Sequence, residues 1–325
     1  MSIGRLRKLC VLAAAFVGLL FLAPAWAADF PDRPVRFVVP FAPGGGVDII
    51  ARLVTPKLSE MWGQPVIVEN KPGAGGAVAS EYVLQQSADG YTIMVGVAGS
   101  HALAKLLNPD LSFDPMKDFA GITLMSESPL ICLVAPSSPF HTMKELVDDA
   151  KIRPMPFGSP GVGSQMHLIG EMFNLLYGTQ FQHVAYRGVA PAMADLIGGH
   201  IPMAIGEMGS SKPFVTSGQL RALAVTGSKR NPSVPDVPTF AEAGYPSFDV
   251  NSWFALFVPV ATPRPVIDKI AADVTAVVRS PGISKRFAED GWLAGGGTPE
   301  EFAKLWTRTA EQLGAVIRER HITVQ

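Results

Sequence analysis

Short β-branched runs, glycine or proline turns and stretches of helical spacing follow one another along the chain. Val35 to Pro40 predicts a strand, broken by Pro43-Gly44-Gly45-Gly46. Asp48 is then the expected N-cap of a helix running to about Met61, with Ile49, Ile50, Leu53, Val54 and Leu58 on one face. Val66 to Glu69 predicts the next strand, Lys71-Pro72-Gly73-Ala74-Gly75-Gly76 a second glycine loop, Ala77 to Gln86 a helix and Tyr91 to Val97 a third strand. A fresh cycle starts near Leu130. It predicts a strand to Ala135, a helix over Thr142 to Ala150 and a short strand over Met155 to Gly158. A turn over Ser159 to Ser164 and a helix over Gln165 to Tyr177 follow. Strands at Gln182 to Tyr186, Ile201 to Ile205 and Leu220 to Thr226 alternate with helices near Val189 to Ile197 and Ser210 to Ser217. Asn231 to Pro238 holds three prolines and reads as an extended surface loop. A strand at Trp253 to Val258 and helices at Pro265 to Val278, Ile283 to Glu289 and Pro299 to Glu319 complete the pattern.

Alternating strands and helices imply an α/β fold whose sheets are mostly parallel, with helices on both faces. The pattern divides into two lobes, each with a strand–glycine turn–helix unit, at Val38 to Leu58 and at Phe157 to Phe173. Glycines let the backbone approach a ligand, and a helix start presents unpaired N–H groups with partial positive charge. Ligands of such sheets sit at the carboxyl ends of the strands. Two such ends, one per lobe, have the geometry of a clamshell that closes on a small anion.

Composition narrows the partners. Among 325 residues 48% are apolar and 17% charged, which excludes an intrinsically disordered chain. The net charge is −1 and no Lys/Arg run lies beyond the first residues, so nucleic acid is not an expected partner. Arg5, Arg7 and Lys8, the apolar stretch Leu9 to Ala23 and the small-residue site Ala25-Trp26-Ala27 predict a secretory signal peptide over residues 1–27, cut after Ala27. Its apolar core is shorter than the roughly 20 residues that a membrane span needs. Cleavage removes Cys10 and leaves Cys132, so no intramolecular disulfide is expected. Cys132 lies in an apolar run and reads as a buried small hydrophobe.

The chemistry-bearing motifs are sparse. Pro43 to Asp48 is neither a dinucleotide fingerprint nor a phosphate loop. Three consecutive glycines favour backbone approach to a ligand, whereas Gly73 to Gly76 fits a turn and a ligand approach equally. Ser164 lies in Gly163-Ser164-Gln165 rather than a nucleophile elbow, and reads as an N-cap or an anion donor. His167 fits both a structural role and a ligand neighbour. Asp195 fits a cap, a surface pair or a ligand contact. Trp253, Phe254 and Phe257 read as core. Scattered histidines and one mature cysteine predict no metal site, no cofactor and no catalytic set.

The chain resembles the extracytoplasmic solute receptors of tripartite tricarboxylate transporters, the Bug family, from about Pro31 to Ile322. The resemblance is carried by Pro34 to Asp48, by Gly63 to Gly76 and by Asp89-Gly90-Tyr91-Thr92. Leu220 to Thr226 and Asp236-Val237-Pro238-Thr239 with Glu242-Ala243-Gly244 complete the set. The resemblance implies a two-lobed Venus-flytrap periplasmic binding protein fold with a cleft between the lobes. Lobe 1 would comprise residues 28–128 and 251–325 and lobe 2 residues 129–250. It implies a carboxylate grip by Pro43, Gly44, Gly45, Gly46 and Asp48, met by Gly161, Gly163, Ser164 and His167 from the second lobe. Ser100, His101, Tyr186 (in Tyr186-Arg187-Gly188) and Asp195 match further family positions. Ala77 stands where the family often has Asn, and Pro202 and Gly206 where it often has Asp; Glu207 either substitutes for that Asp or points elsewhere. The implied function is capture, without enzymatic chemistry, of a small carboxylate (a di- or tricarboxylate, acidic amino acid or aromatic acid). A periplasmic monomer would deliver it to membrane permease subunits. A ligand sensor for a signalling partner and an exported small-ester hydrolase are the alternative readings.

Overall fold

The β-branched run Val35–Val39 forms β1, which leads through the helix α1 (Gly46–Trp62) to β2 (Val66–Asn70). α2 (Ala77–Leu84) then leads to β3 (Thr92–Val97). A π-type turn at Gly99–Leu103 runs into α3 (Ala104–Leu107), and α4 (Pro115–Asp118) precedes the ten-residue strand β4 (Phe119–Ser128). The second series comprises β5 (Leu130–Val134), α5 (Met143–Ile152), β6 (Met155–Ser159), α6 (Gln165–Tyr177) and β7 (Phe181–Ala185). It continues with α7 (Val189–Ile197), β8 (Met203–Glu207), α8 (Met208–Thr216) and β9 (Arg221–Val225). The last series is β10 (Ser252–Pro259), α9 (Arg264–Val278), α10 (Pro281–Glu289), β11 (Leu293–Ala294) and α11 (Pro299–Glu319). The computed structural model describes residues 30–324, so the predicted leader and its cleavage site lie outside the described residues. Residues 33–325 form one unit; of the other, 1–32, only 30–32 are described.

Two sheets result, ordered β11-β4-β10-β3-β1-β2 and β7-β6-β8-β5-β9. Both are mixed rather than mostly parallel. The βαβ connections make β1 parallel to β2 and β3, and β6 parallel to β7 and β8. The strands next to each passage between the sheets run the other way: β10 is antiparallel to β3 and β4, and β5 is antiparallel to β8 and β9. The chain leaves the first sheet at Pro129, between β4 and β5, and returns to it at Ser252.

Local chemistry sets the element ends. Thr142 and Thr298 each cap a helix, and Glu145 and Glu301 return the bond to complete capping boxes. Ser164 caps α6 by accepting from the His167 N–H. α1 starts at Gly46 instead of after Asp48, because Asp48 sits inside the first turn and reaches back to the Gly44 N–H. Ile49, expected on the apolar face of α1, is exposed, whereas Ile50, Val54 and Leu58 are buried. The Asn231 to Pro238 segment is not an open surface loop. Val234 and Val237 pack into the core of the second sheet, and the Asn231 side chain donates to the Gly291 carbonyl at 3.1 Å. Cys132 is buried on β5, and burial pushes its thiol up to about 12, so it stays protonated and inert.

Packing under α6 fixes the axis of that helix. Phe173 stacks on Phe248 at 4.1 Å between ring centroids and meets Tyr245 and Phe181 edge-on. On the opposite turn Gly170 lies against the Phe157 ring, where a Cβ would come within 2.2 Å. The helix therefore rests directly on β6. Gly170→Val is expected to destabilise the protein by about 1–3 kcal/mol through overpacking, read as a lowered urea midpoint with an unchanged slope. An unchanged midpoint would refute the close approach.

Candidate functional site

A cavity of about 440 Å³ opens between the two sheets. One wall comes from the end of β3 and the segments after β1, β2 and β3: Phe41, Gly46, Val47, Ala74, Gly75 and residues 97–100. Leu107, Asn108 and Leu111 continue it. The facing wall is Pro160 to Met166 with Glu207, and Ser252, Phe254 and Val324 close the back. Most of this lining is apolar, so a few polar groups set the orientation of whatever enters.

The start of α6 forms one pole. Ser164 Oγ donates to the Gly161 carbonyl at 2.7 Å and accepts from the His167 N–H at 3.2 Å. The Gly163 N–H donates to His167 Nδ1 at 3.1 Å. Ser164 Oγ and His167 Nδ1 thus hold the turn, and His167 Nε2 faces Glu171 at 3.8 Å. The N–H groups of Gln165 and Met166, the first two helical positions, have no carbonyl to bond within the helix and lie on the cavity wall. The first turn of α6 carries no acidic residue. A helix start with two unpaired N–H groups and no acidic residue has the chemistry to receive an anion.

The start of α1 differs. Asp48 is buried and accepts from the Gly44 N–H (2.9 Å), Arg52 Nε (3.0 Å) and Asn70 Nδ2 (2.9 Å). Burial alone would raise its pKa, but the hydrogen bonds from Arg52, Gly44 and Asn70 outweigh it and hold the carboxyl below its usual range. A carboxylate of the chain already occupies this helix start. Of the residues expected to form the first grip, Gly46 lines the cavity; Pro43, Gly44, Gly45 and Asp48 do not. Their loop is ordered by Asp48 and offers the ligand only Gly46 and Val47.

Other expected contacts separate in the same way. Ser100 is on the wall, but its hydroxyl bonds Val97 and His101 Nδ1, the latter at 2.9 Å. His101 is fully buried behind it, stacked on Phe257 at 4.3 Å, so it is a core residue and not a wall residue. Gly96 makes room for that imidazole: a Cβ there would lie 2.6 Å from His101 Nδ1. Burial pushes the His101 pKa down to about 3 and keeps the ring neutral. His167 stacks on His183 at 3.8 Å, and burial lowers both to about 4. Tyr186 donates to Asp195 at 2.8 Å, and this pair lies off the cavity wall. Gly161, Gly163, Ser164 and Glu207 are on it.

Sequence reading missed Gln165, Met166, Phe41, Val47 and Phe254 as wall residues and left Ala74 and Gly75 open. A signal existed for the first two: they follow directly on the residue read as an N-cap. It also left Glu207 open. The Glu207 side chain faces the cavity, is half-buried and accepts from Ser252; burial raises its pKa and that bond opposes the rise. Gln165 donates to the Asn251 carbonyl at 2.9 Å, and its Oε1 is buried without a partner.

The chain is similar to known proteins over most of its length. The sequence profile described as "Tripartite tricarboxylate transporter family receptor" matches residues 50–322. Protein BugT of Bordetella pertussis is 31% identical over 322 residues, spanning 98% of each chain. An R. palustris structure with adipate gives a TM-score of 0.80 at 34% identity, covering 91% of this chain and 99% of that one. MatC from Rhodopseudomonas palustris with bound malate gives 0.76 at 32% identity, covering 89% and 100%. At these identities the likeness extends through the whole two-sheet α/β architecture, the fold of periplasmic binding proteins.

The buried imidazole has a pH consequence. In the unfolded chain His101 binds a proton below about pH 6.5, whereas in the fold it stays neutral down to about 3. Below about 6.5 the unfolded state therefore holds more protons, and stability falls as pH falls, by up to about 1.4 kcal/mol per pH unit for this one group. His101→Phe is expected to shrink the stability difference between about pH 7 and about pH 5 in urea titrations. An undiminished difference would show that this ring is charged in the folded protein.

Proposed function

Because this chain belongs to the tripartite tricarboxylate transporter receptor family, we propose that it captures a small organic carboxylate in the cavity between its sheets and delivers it to membrane permease subunits. The observation that carries this reading is the start of α6. Two unpaired backbone N–H groups face an apolar cavity, with the helix dipole behind them and no acidic residue in the turn. A carboxylate fits that pole through charge-assisted bonds and needs no buried lysine or arginine. Adipate and malate, the ligands named for two similar structures, support the class. The leader pattern from Arg5 to Ala27 supports a periplasmic location.

Capture proceeds by closure of residues 33–128 with 251–324 against residues 129–250, the bodies that carry the first and second sheets. A single chain supplies both walls, so a monomer suffices. The work of the site is binding rather than turnover. Ser164 Oγ donates to a carbonyl, and the nearby His167 Nδ1 accepts from the Gly163 N–H, so neither activates the other. Ser159 Oγ lies 2.6 Å from His183 Nε2, but Ser159 is wholly buried and off the cavity wall.

Proline tests the α6 donors. Ser164 has φ −62° and ψ 151°, the extended conformation that a following proline requires, and Gln165 is the first helical residue. Gln165→Pro therefore removes one N–H at little cost to the helix, while Gln165→Ala removes only the side chain. In calorimetric titrations with malate, adipate and caproate, Gln165→Pro is expected to bind at least about tenfold more weakly than Gln165→Ala. Equal affinity in the two variants would refute the α6 pole. In a thermal-shift series at about 100 times Kd, a bound carboxylate adds roughly 2.7 kcal/mol, and the neutral caproamide is expected to add nothing. A rise with the amide alone would overturn the carboxylate reading.

A further inference from the structure

We infer that Glu207 decides which organic acids this cleft accepts: it takes an acid whose far end carries an ammonium group facing Glu207, a charge-balanced aminocarboxylate rather than a dicarboxylate. The inference rests on the carboxylate reading of the same cavity and goes on to name the other end of the ligand.

Among the described residues, Glu207 is the only side chain on the cavity wall that can ionise, and no lysine, arginine or histidine shares the wall with it. It ends β8 at the first turn of α8, yet its carboxyl does not cap that helix. The Ser252 hydroxyl bonds it instead. One residue earlier, the Asn251 carbonyl receives the Gln165 amide N–H, and that bond fixes which end of the amide is oxygen. Gln165 is buried, and its Oε1 is left as an acceptor without a donor. The consecutive residues Asn251 and Ser252 therefore hold the side chains of two wall residues, one ending in a carboxylate and one in a buried amide oxygen that lacks a donor. Neither has a protein cation to serve.

A dianionic ligand fits this arrangement badly. Its first carboxylate takes the α6 N–H groups, and its second meets Glu207 with no cation on the wall to separate them. An ammonium group reverses the balance. It donates to Glu207 and to Gln165 Oε1, satisfies the orphaned amide oxygen and balances the half-buried carboxylate. Burial now raises the Glu207 pKa, and an ammonium neighbour favours the charged carboxylate again. The apolar lining from Phe41, Val47, Leu107 and Phe254 suits the methylene chain between the two poles.

Three ligands with one carbon skeleton test this: caproate, adipate and ε-aminocaproate, whose far ends are a methyl, a carboxylate and an ammonium group. Calorimetry on the wild-type protein is expected to rank ε-aminocaproate at least about tenfold tighter than adipate. Glu207→Gln is expected to abolish that preference by weakening ε-aminocaproate and strengthening adipate, and Glu207→Asp to keep it. Adipate binding as tightly as ε-aminocaproate to the wild type overturns the inference, and so does a preference that survives Glu207→Gln. The wild-type ranking decides the matter even if a variant fails to fold. Caproate bound without any discrimination removes the role of Glu207 and leaves carboxylate capture standing. Failure of all three to bind both the wild type and Glu207→Gln removes the carboxylate reading itself, and the inference falls with it.

Discussion

The Asn251 side chain holds three chain passages in register. Its Nδ2 donates to Glu127 at 2.6 Å, at the end of β4, and its Oδ1 accepts from Thr226 at 2.8 Å, just past β9. Thr226 Oγ1 in turn accepts from the Leu130 N–H at the start of β5, also at 2.8 Å. These are the places where the chain leaves one sheet and returns to the other. The Asn251 carbonyl then receives Gln165, which ties the first turn of α6 to the same junction. Cavity shape follows from this knot, because the α6 start, Ser252 and the end of β4 all take their positions from it. The network is buried or half-buried, so each missing partner would leave a desolvated polar group behind.

The two helix starts that face the cavity are unequal. α1 is served by Asp48, with Arg52 and Asn70 arranged around that carboxylate, and its electrostatic demand is met within the protein. α6 has Ser164 as a neutral cap and leaves two donors unpaired. An anion entering the cleft therefore finds one vacant pole and one filled one. The aromatic cluster beneath α6 and the contact of Gly170 with Phe157 keep that pole aimed. Arg320 adds a tie from α11 by binding Glu171 on α6 at 2.7 Å.

Much of this was legible in the sequence where a period was unbroken. The structure places α7 at Val189–Ile197 and α11 at Pro299–Glu319, as their apolar spacing predicts. β4 escaped because its register against β10 shifts twice, between Phe254 and Ala255 and between Leu256 and Phe257. Each shift breaks the alternation by which a strand is read. Strand direction escaped for a different reason: the connection from β9 to β10 is irregular, and nothing in it dictates a parallel return. At the site, Ser164 was legible because a serine before an apolar helix is a cap by simple hydrogen-bond arithmetic. Asp48 suggested the same reading but lies three residues further in and serves the loop. His101 follows a strand in a Gly-Ser-His stretch that looks exposed; only the space beside Gly96 shows that it turns inward. Glu207 and Gln165 meet through the junction at the start of β10, a relation with no trace in local sequence.

The α6 donors belong to the main chain, and this divides the site by how it responds to mutation. Any codon change there other than one to proline keeps an N–H in place, so the anion preference proposed for this pole is robust to drift. The opposite pole is made of side chains, and single substitutions rewrite it. On the proposed reading, a lineage can exchange one acid for another through Glu207 and its neighbours while the backbone keeps its grip on the feature that all of them share.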